Sequence, residues 1–164
     1  MPALSPDDRL QFQRAWLFTR LVAWALCFGA PAVYALVFAL TVLKGPWAVA
    51  LRLGIPWTHP AVLGSVFLSV GTLGAAFLLG PLFTNQLRRE PSLPRALAVS
   101  RQATVVSCAL LESVAIFGLV AGVLAGPGAA PLALLLFLVP PAGYLILVPG
   151  PQAWLAVLEE GHRA

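Results

Sequence analysis

Charged residues are scarce in this sequence. Asp, Glu, Lys and Arg make up 10% of its 164 residues, whereas an ordinary soluble domain has about 25%. Hydrophobic residues make up 60%, and the mean hydropathy is +0.90. A soluble protein of this composition would expose a largely apolar surface to water. The composition therefore excludes an ordinary soluble domain and indicates an integral membrane protein.

The residues that usually carry catalysis or bind metals are also few. The chain has two histidines and two cysteines, and the cysteines, Cys27 and Cys108, fall in different apolar runs. The sequence contains no glycine-rich phosphate loop, no HExxH motif, no paired-cysteine motif and no Ser/His/Asp set. We therefore predict no cofactor and no metal site, and we expect that the protein is not an enzyme. The two cysteines are expected to be small packing residues rather than a disulfide.

Four apolar runs are long enough to cross a membrane as helices. They lie at about 21–43, 61–83, 103–125 and 132–149. A helix needs about 20 residues to cross a hydrocarbon layer of ~30 Å. The runs are continuously apolar, whereas strands of a membrane barrel alternate between polar and apolar residues. We predict an all-α fold, an integral membrane four-helix bundle that forms a single membrane domain over residues 1–164.

The basic residues are distributed unevenly around these runs. Eight of the ten Lys and Arg residues lie before the first run, in the 84–102 loop or in the 150–164 tail. Only Lys44 and Arg52 lie on the other side. Because Lys and Arg concentrate on the cytoplasmic side, both termini and the loop are predicted to be cytoplasmic (N-in/C-in). The basic residues flank spans rather than form a continuous patch, so no nucleic acid partner is expected.

Three polar or amphipathic segments connect or follow the spans. The 84–102 loop carries four arginines that set the topology or, alternatively, bind anionic lipid headgroups: Arg88, Arg89, Arg95 and Arg101. The segments 44–60 and 150–164 are too short to span, and each contains tryptophan beside apolar residues. We predict that they form short helices in the membrane interface, with Trp154 anchoring the tail.

One carboxylate lies in the middle of the third run, in the stretch SCALLESVAIFGLVAGVLAG. A charged side chain at the centre of a membrane helix costs about 2.5–3.5 kcal/mol on insertion scales. Glu112 is therefore predicted to be protonatable and hydrogen-bonded inside the bundle. Counting residues from the ends of the antiparallel runs places Ser69, Thr72 and Tyr144 near its depth. These three residues are the predicted hydrogen-bond partners.

Proline and glycine predict the shape and packing of the helices. Pro31 cannot donate to the carbonyl of Cys27, which predicts a kink in the first span. Small residues permit close contact between backbones. The second run contains Gly71 and Gly74, and the third run contains Gly118 and Gly122. We predict that these two runs pack as a tight hairpin, and the alternative use of the glycines is dimerisation.

The segment SRQATVVSCALLESVAIFGLVAGVLAG resembles the second helix of the proteolipid c subunit of rotary ATP synthases. In that family an Arg-Gln loop precedes a helix with a central carboxylate and then a glycine-containing apolar run. The matching features here are Arg101-Gln102, Glu112 and the AIFGLV of 115–120. The resemblance is local and covers residues 101–125. It implies an oligomeric ring in which Glu112 is protonated and deprotonated during rotation.

Three functions fit these features. The first is a small polytopic membrane protein that serves as a structural or accessory subunit and contains a buried protonatable Glu112. The second is a proton-binding or proton-translocating protein similar to the c subunit, and the third is a small-solute transporter. The expected partners are the lipid bilayer and other membrane proteins or further copies of the chain. The use of Arg over Lys, with abundant Ala, Gly and Pro, favours a GC-rich genome and hence a bacterial inner membrane.

Overall fold

The computed structural model describes residues 6–42, 54–90 and 92–161, and these residues are largely helical, with no strand among them. The first helix consists of α1 (Pro6–Trp24), a π-helical turn (Ala25–Gly29) and α2 (Ala30–Thr41). The other elements are α3 (Pro60–Arg88), α4 (Leu93–Ala125), a 3-10 turn (Gly126–Ala129), α5 (Ala130–Leu147) and the short α6 (Pro151–Gly161). The all-α prediction is confirmed for the described residues.

Three stretches of the described helices are long and apolar enough to cross a membrane. They are Phe12–Thr41, Pro60–Arg88 and Pro94–Leu147. The last stretch contains both α4 and α5, and the chain turns between them at Gly126. The φ angle of Gly126 is 73°, in the left-handed region that favours glycine. Because α5 packs back against α4, this last stretch consists of two helices. The described chain therefore has four long helices, as predicted.

The helices extend beyond the predicted spans at the arginine-bearing end of the bundle. The segment 84–102 is predicted as a loop, but α3 continues to Arg88 and α4 begins at Leu93. Pro94 lies in the first turn of α4, where its missing N–H breaks no helical hydrogen bond. Hydropathy detects the part of a helix that suits hydrocarbon. It does not detect the polar turns by which the same helix extends further.

The π-helical turn lies directly before Pro31. The Ala30 N–H donates to the carbonyl of Ala25, which is the five-residue spacing of a π-helix. The sequence predicts a kink at Pro31 because the proline has no N–H. The structure shows a change of hydrogen-bond register at this point, and α2 continues the helix from there.

The helix α4 lies at the centre of the bundle, where it packs against α1, α2, α3 and α5. Two contacts show that the first helix runs parallel to α4. The Arg101 guanidinium donates to the Ala15 carbonyl at 3.0 Å near the start of both helices. Phe38 lies against Gly122 near their other ends. A parallel first and third helix is the arrangement expected of a chain whose successive helices alternate in direction.

The tail is helical as predicted, but its tryptophan lies inside the protein. Trp154 is 3% exposed and belongs to a buried cluster with Phe12, Trp16, Leu87 and Ala96. This burial corrects the prediction that Trp154 anchors the tail in the membrane interface. The helix α6 folds back against α1 and α3, which a hydropathy pattern in the tail alone does not reveal.

The other predicted interfacial segment, 44–60, falls mostly on residues outside the described part of the chain. Its described portion, from Gly54 to His59, contains turns and leads into α3 at Pro60. The His59 side chain accepts a hydrogen bond from the Ala61 N–H and thereby caps α3. The histidine thus has a structural role at the start of this helix.

Candidate functional site

Glu112 lies in the middle of α4 and is half-buried. The hydroxyl of Tyr34, on α2, donates a hydrogen bond to its Oε1 at 2.6 Å. This distance is in the short range typical of hydroxyl donors to carboxylates. The bond joins two residues that are 78 positions apart in the chain. It therefore connects the first helix, whose second part is α2, to the third helix of the bundle, α4.

The ring of Tyr34 is positioned by a buried apolar cluster. Tyr34 packs against a group that includes Phe38, Ala115 and Phe137. The rings of Phe38 and Phe137 meet edge to face with their centroids 6.0 Å apart. Ala115 is three residues after Glu112 and is fully buried, so the ring and the carboxylate share one face of α4. Packing thus holds the ring while the hydroxyl reaches the acid.

None of the three predicted partners donates to Glu112 in the described part of the chain. The Thr72 hydroxyl donates to the Leu68 carbonyl within α3 at 2.7 Å. The ring of Tyr144 packs edge-on against Phe28, with centroids 5.6 Å apart. The Ser69 hydroxyl is buried and has no hydrogen-bond partner among the described residues. Depth along the bundle is similar for these residues, but depth does not determine which way a side chain points around its helix.

The sequence carries one signal for Tyr34. It is one of two tyrosines in the chain and lies one helical turn after Pro31, at the depth that the residue count assigns to the middle of the first span. A phenol is a hydrogen-bond donor that tolerates an apolar setting. This signal does not show which way the Tyr34 side chain points, because the π-helical turn alters the helical register before Tyr34. No residue pattern in the sequence predicts that turn.

Cys27 and Cys108 come together beside the carboxylate. Both are fully buried free thiols, in a cluster with Ala23 and Leu111. Cys27 comes from the π-helical turn and Cys108 from α4. The sequence predicts two separate packing residues. The structure instead places both cysteines in one buried cluster, and Cys108 lies one helical turn before Glu112 on α4.

Two of the four predicted packing glycines lie at close helix contacts. A Cβ added to Gly118 would lie 2.8 Å from the Leu136 Cβ and 3.2 Å from the Ala133 carbonyl oxygen, both on α5. A Cβ on Gly122 would collide with the ring of Phe38 on α2. The Gly-x-x-x-Gly pair of α4 therefore permits close approach of α5 on one side and of α2 on the other.

The two glycines of α3 lie elsewhere. Gly71 and Gly74 are exposed, and a Cβ added to either would meet no heavy atom within 4 Å. The side of α3 that is buried in the bundle carries other small residues, Ser65, Ser69 and Ala76. The second and third helices do pack together as predicted, but within the described chain they do so without Gly71 and Gly74.

The four arginines predicted to meet lipid headgroups lie at one end of the bundle and are exposed. They are Arg88, Arg89, Arg95 and Arg101. Arg101 also has a structural contact, since it donates to the Ala15 carbonyl. Lipid binding by this group remains a prediction.

A cavity of about 180 Å³ lies at the same end, between α3, α4 and the tail. Its lining includes Thr84, Thr104, Ser107 and Trp154. The threonine hydroxyls donate to carbonyls of their own helices. The Trp154 indole N–H has no partner among the described residues, so it is available to a small molecule with a hydrogen-bond acceptor. This cavity is the feature that the transporter hypothesis would use.

Within the described part of the chain, no three His, Cys, Asp or Glu side chains are grouped so that they could hold a metal ion. Compared with protein-family models, curated proteins and solved structures, the chain matches none. The resemblance of residues 101–125 to the c subunit therefore remains a prediction. The candidate site is defined by its own geometry: the Tyr34–Glu112 pair and the adjacent thiols.

Proposed function

We propose that this chain is a polytopic protein of a bacterial inner membrane with both termini in the cytoplasm. The outward-facing side chains support a lipid environment: Phe18, Phe67 and Ile146 are 71%, 80% and 78% exposed. Such a surface would be unfavourable in water. The contact between Arg101 and Ala15 brings the two most basic segments to one end of the bundle, as a shared cytoplasmic location requires.

In this membrane the protein serves as a structural or accessory subunit, and Glu112 is a hydrogen-bonded acid that fixes the first helix against the third. The hydrogen bond from Tyr34 to Glu112 is the observation that supports this function most directly. An interhelical bond of this kind sets the rotation of both helices about their axes. Helices in lipid depend on such polar contacts and on close packing, because lipid tails are as apolar as the side chains.

A second candidate function is proton binding at Glu112. The side chain is only half-buried. Among the described residues, Tyr34 is the one hydrogen-bond donor to the carboxyl group, and it reaches Oε1. The other oxygen, Oε2, is therefore open to a proton. This arrangement would let the acid take up and release a proton without losing its contact to the first helix.

Labelling of Glu112 with a hydrophobic carbodiimide in native membranes separates these two functions. A structural acid should label poorly in the wild type, because the phenol occupies one carboxyl oxygen and the bundle restricts the reagent. The Tyr34→Phe variant should label more strongly, because the ring remains and only the blocking hydroxyl is lost. The measurement is the mass of the peptide that contains residue 112, with Glu112→Gln as the control for labelling at that position.

The same variants also report on function. Glu112→Gln should still assemble in the membrane and copurify with partners, because the glutamine amide oxygen can accept the Tyr34 hydrogen bond. Wild-type labelling that persists to about pH 8, far above the ~4.3 of a solvated glutamate, would contradict the structural function. If Glu112→Gln also abolished proton flux in liposomes, proton binding would take its place.

A further inference from the structure

The chain has two cysteines, and the fold brings them into one buried cluster with Ala23 and Leu111. Cys27 is in the π-helical turn and Cys108 is on α4, and the turn and α4 pack against each other. Both side chains are 0% exposed. Two thiols on separate helices that meet in a buried cluster can form a covalent link, which neither could form as an isolated packing residue.

We propose that Cys27 and Cys108 are a redox-active pair that closes into an intramolecular disulfide and crosslinks the first helix to the third. The setting favours a disulfide over a bound metal. A soft metal ion held by two thiolates would place charge among apolar side chains, which is costly. No third ligand completes a metal group within the described residues. A disulfide, by contrast, is neutral, as the two thiols are.

The burial of both sulfurs also restricts the oxidant. It must be small, neutral and able to enter a membrane protein, and hydrogen peroxide has these properties. Large soluble oxidants and protein thiols would need the bundle to open widely. The π-helical turn is the local irregularity nearest to the pair, and such turns recur at functional sites.

The reaction has two steps. In the first, the sulfur of one cysteine attacks one oxygen of the peroxide, the O–O bond breaks, and a sulfenic acid forms. The proton of that thiol goes to the hydroxide that leaves, which becomes water.

In the second step the sulfur of the other cysteine attacks the sulfenic sulfur. The S–S bond forms, and the sulfenic hydroxyl leaves with the proton of the second thiol as a second water. The two thiols together lose two electrons, and these electrons reduce the peroxide. Because Cys27 and Cys108 already lie in one buried cluster, this condensation competes well with further oxidation of the sulfenic acid.

The test uses the full chain in native membranes, titrated with hydrogen peroxide, quenched, denatured and alkylated with N-ethylmaleimide. In the wild type, both cysteines should lose reactivity to N-ethylmaleimide together. Mass spectrometry should find a Cys27–Cys108 crosslinked peptide that is lighter than the two peptides by two hydrogen atoms. Dithiothreitol should restore both thiols. The variants Cys27→Ala and Cys108→Ala should give no crosslink, and alanine avoids burying a hydroxyl in their place.

A control variant measures whether the peroxide dose is effective. In this variant alanine replaces both native cysteines, and Gly71→Cys supplies an exposed thiol on α3. If that thiol is oxidised while Cys27 and Cys108 of the wild type stay fully alkylatable, the pair is not redox-active and the proposal is overturned. It is also overturned if each cysteine oxidises equally well in the other's absence and no crosslink forms.

Discussion

Tyr34→Phe should lower the free energy of unfolding by about 1–3 kcal/mol, because it removes the donor to Glu112 and leaves a carboxyl oxygen unpaired inside the bundle. The substitution keeps the aromatic ring, so the packing against Phe38 and Phe137 is retained. Only the 2.6 Å hydrogen bond is lost. The measurement is reversible unfolding in mixed micelles, followed by circular dichroism as the denaturing detergent increases.

Two further variants isolate the hydrogen bond from other effects of the substitution. Tyr144→Phe removes the hydroxyl of the other tyrosine, whose ring packs on Phe28, and it should cost less than about 0.5 kcal/mol. The double variant Tyr34→Phe/Glu112→Leu replaces both partners with apolar groups and should recover most of the loss. A double variant that is as unstable as Tyr34→Phe would show that the instability does not come from an unpaired carboxyl group.

Gly118→Ala should destabilise the bundle by about 1–3 kcal/mol, the usual cost of overpacking a close contact. The added Cβ would lie 2.8 Å from the Leu136 Cβ and 3.2 Å from the Ala133 carbonyl oxygen. The second of these atoms belongs to the backbone of α5, so the helices must separate to admit the methyl group. A change of side-chain rotamer cannot relieve the clash. The same unfolding assay measures the effect.

Gly71→Ala is the matched control, since it adds the same methyl group to a glycine in the middle of another helix. A Cβ at this position meets no heavy atom within 4 Å. Alanine is also the better helix former, so the variant should equal the wild type or gain up to about 1 kcal/mol. Equal losses for Gly118→Ala and Gly71→Ala would contradict the contact between α4 and α5. A loss at Gly71 alone would indicate that the exposed face of α3 is covered by another molecule.

The positions of the helices follow from the sequence because hydropathy is a property of short segments. The four apolar runs predict four helices, and the ends of α5 agree with the fourth run to within two residues. The boundaries at the arginine-bearing end of the first three helices differ more, and α4 begins ten residues before the third run. The polar turns of α4 near Arg95 are stabilised by helical hydrogen bonds and by packing against other helices, neither of which depends on membrane hydropathy.

The candidate site was predictable only in part. Glu112 stands out in the sequence because a carboxylate in a continuous apolar run needs a compensating interaction. The identity of its partner depends on how each helix is rotated, and that rotation is set by contacts such as Phe38 against Gly122. The π-helical turn before Pro31 changes the rotation of α2 relative to α1. Counting residues from the ends of the runs therefore gives the depth of Tyr34 but not its direction.

The sequence by itself determined that the chain is helical and apolar and that one acid lies in the middle of its third helix. These properties depend on residues that are neighbours along the chain. Only the tertiary structure decided that Tyr34 donates to Glu112, that Cys27 meets Cys108, and that Trp154 is buried rather than facing a membrane surface. Each of these contacts joins segments that are far apart in sequence, and their geometry depends on the packing of whole helices.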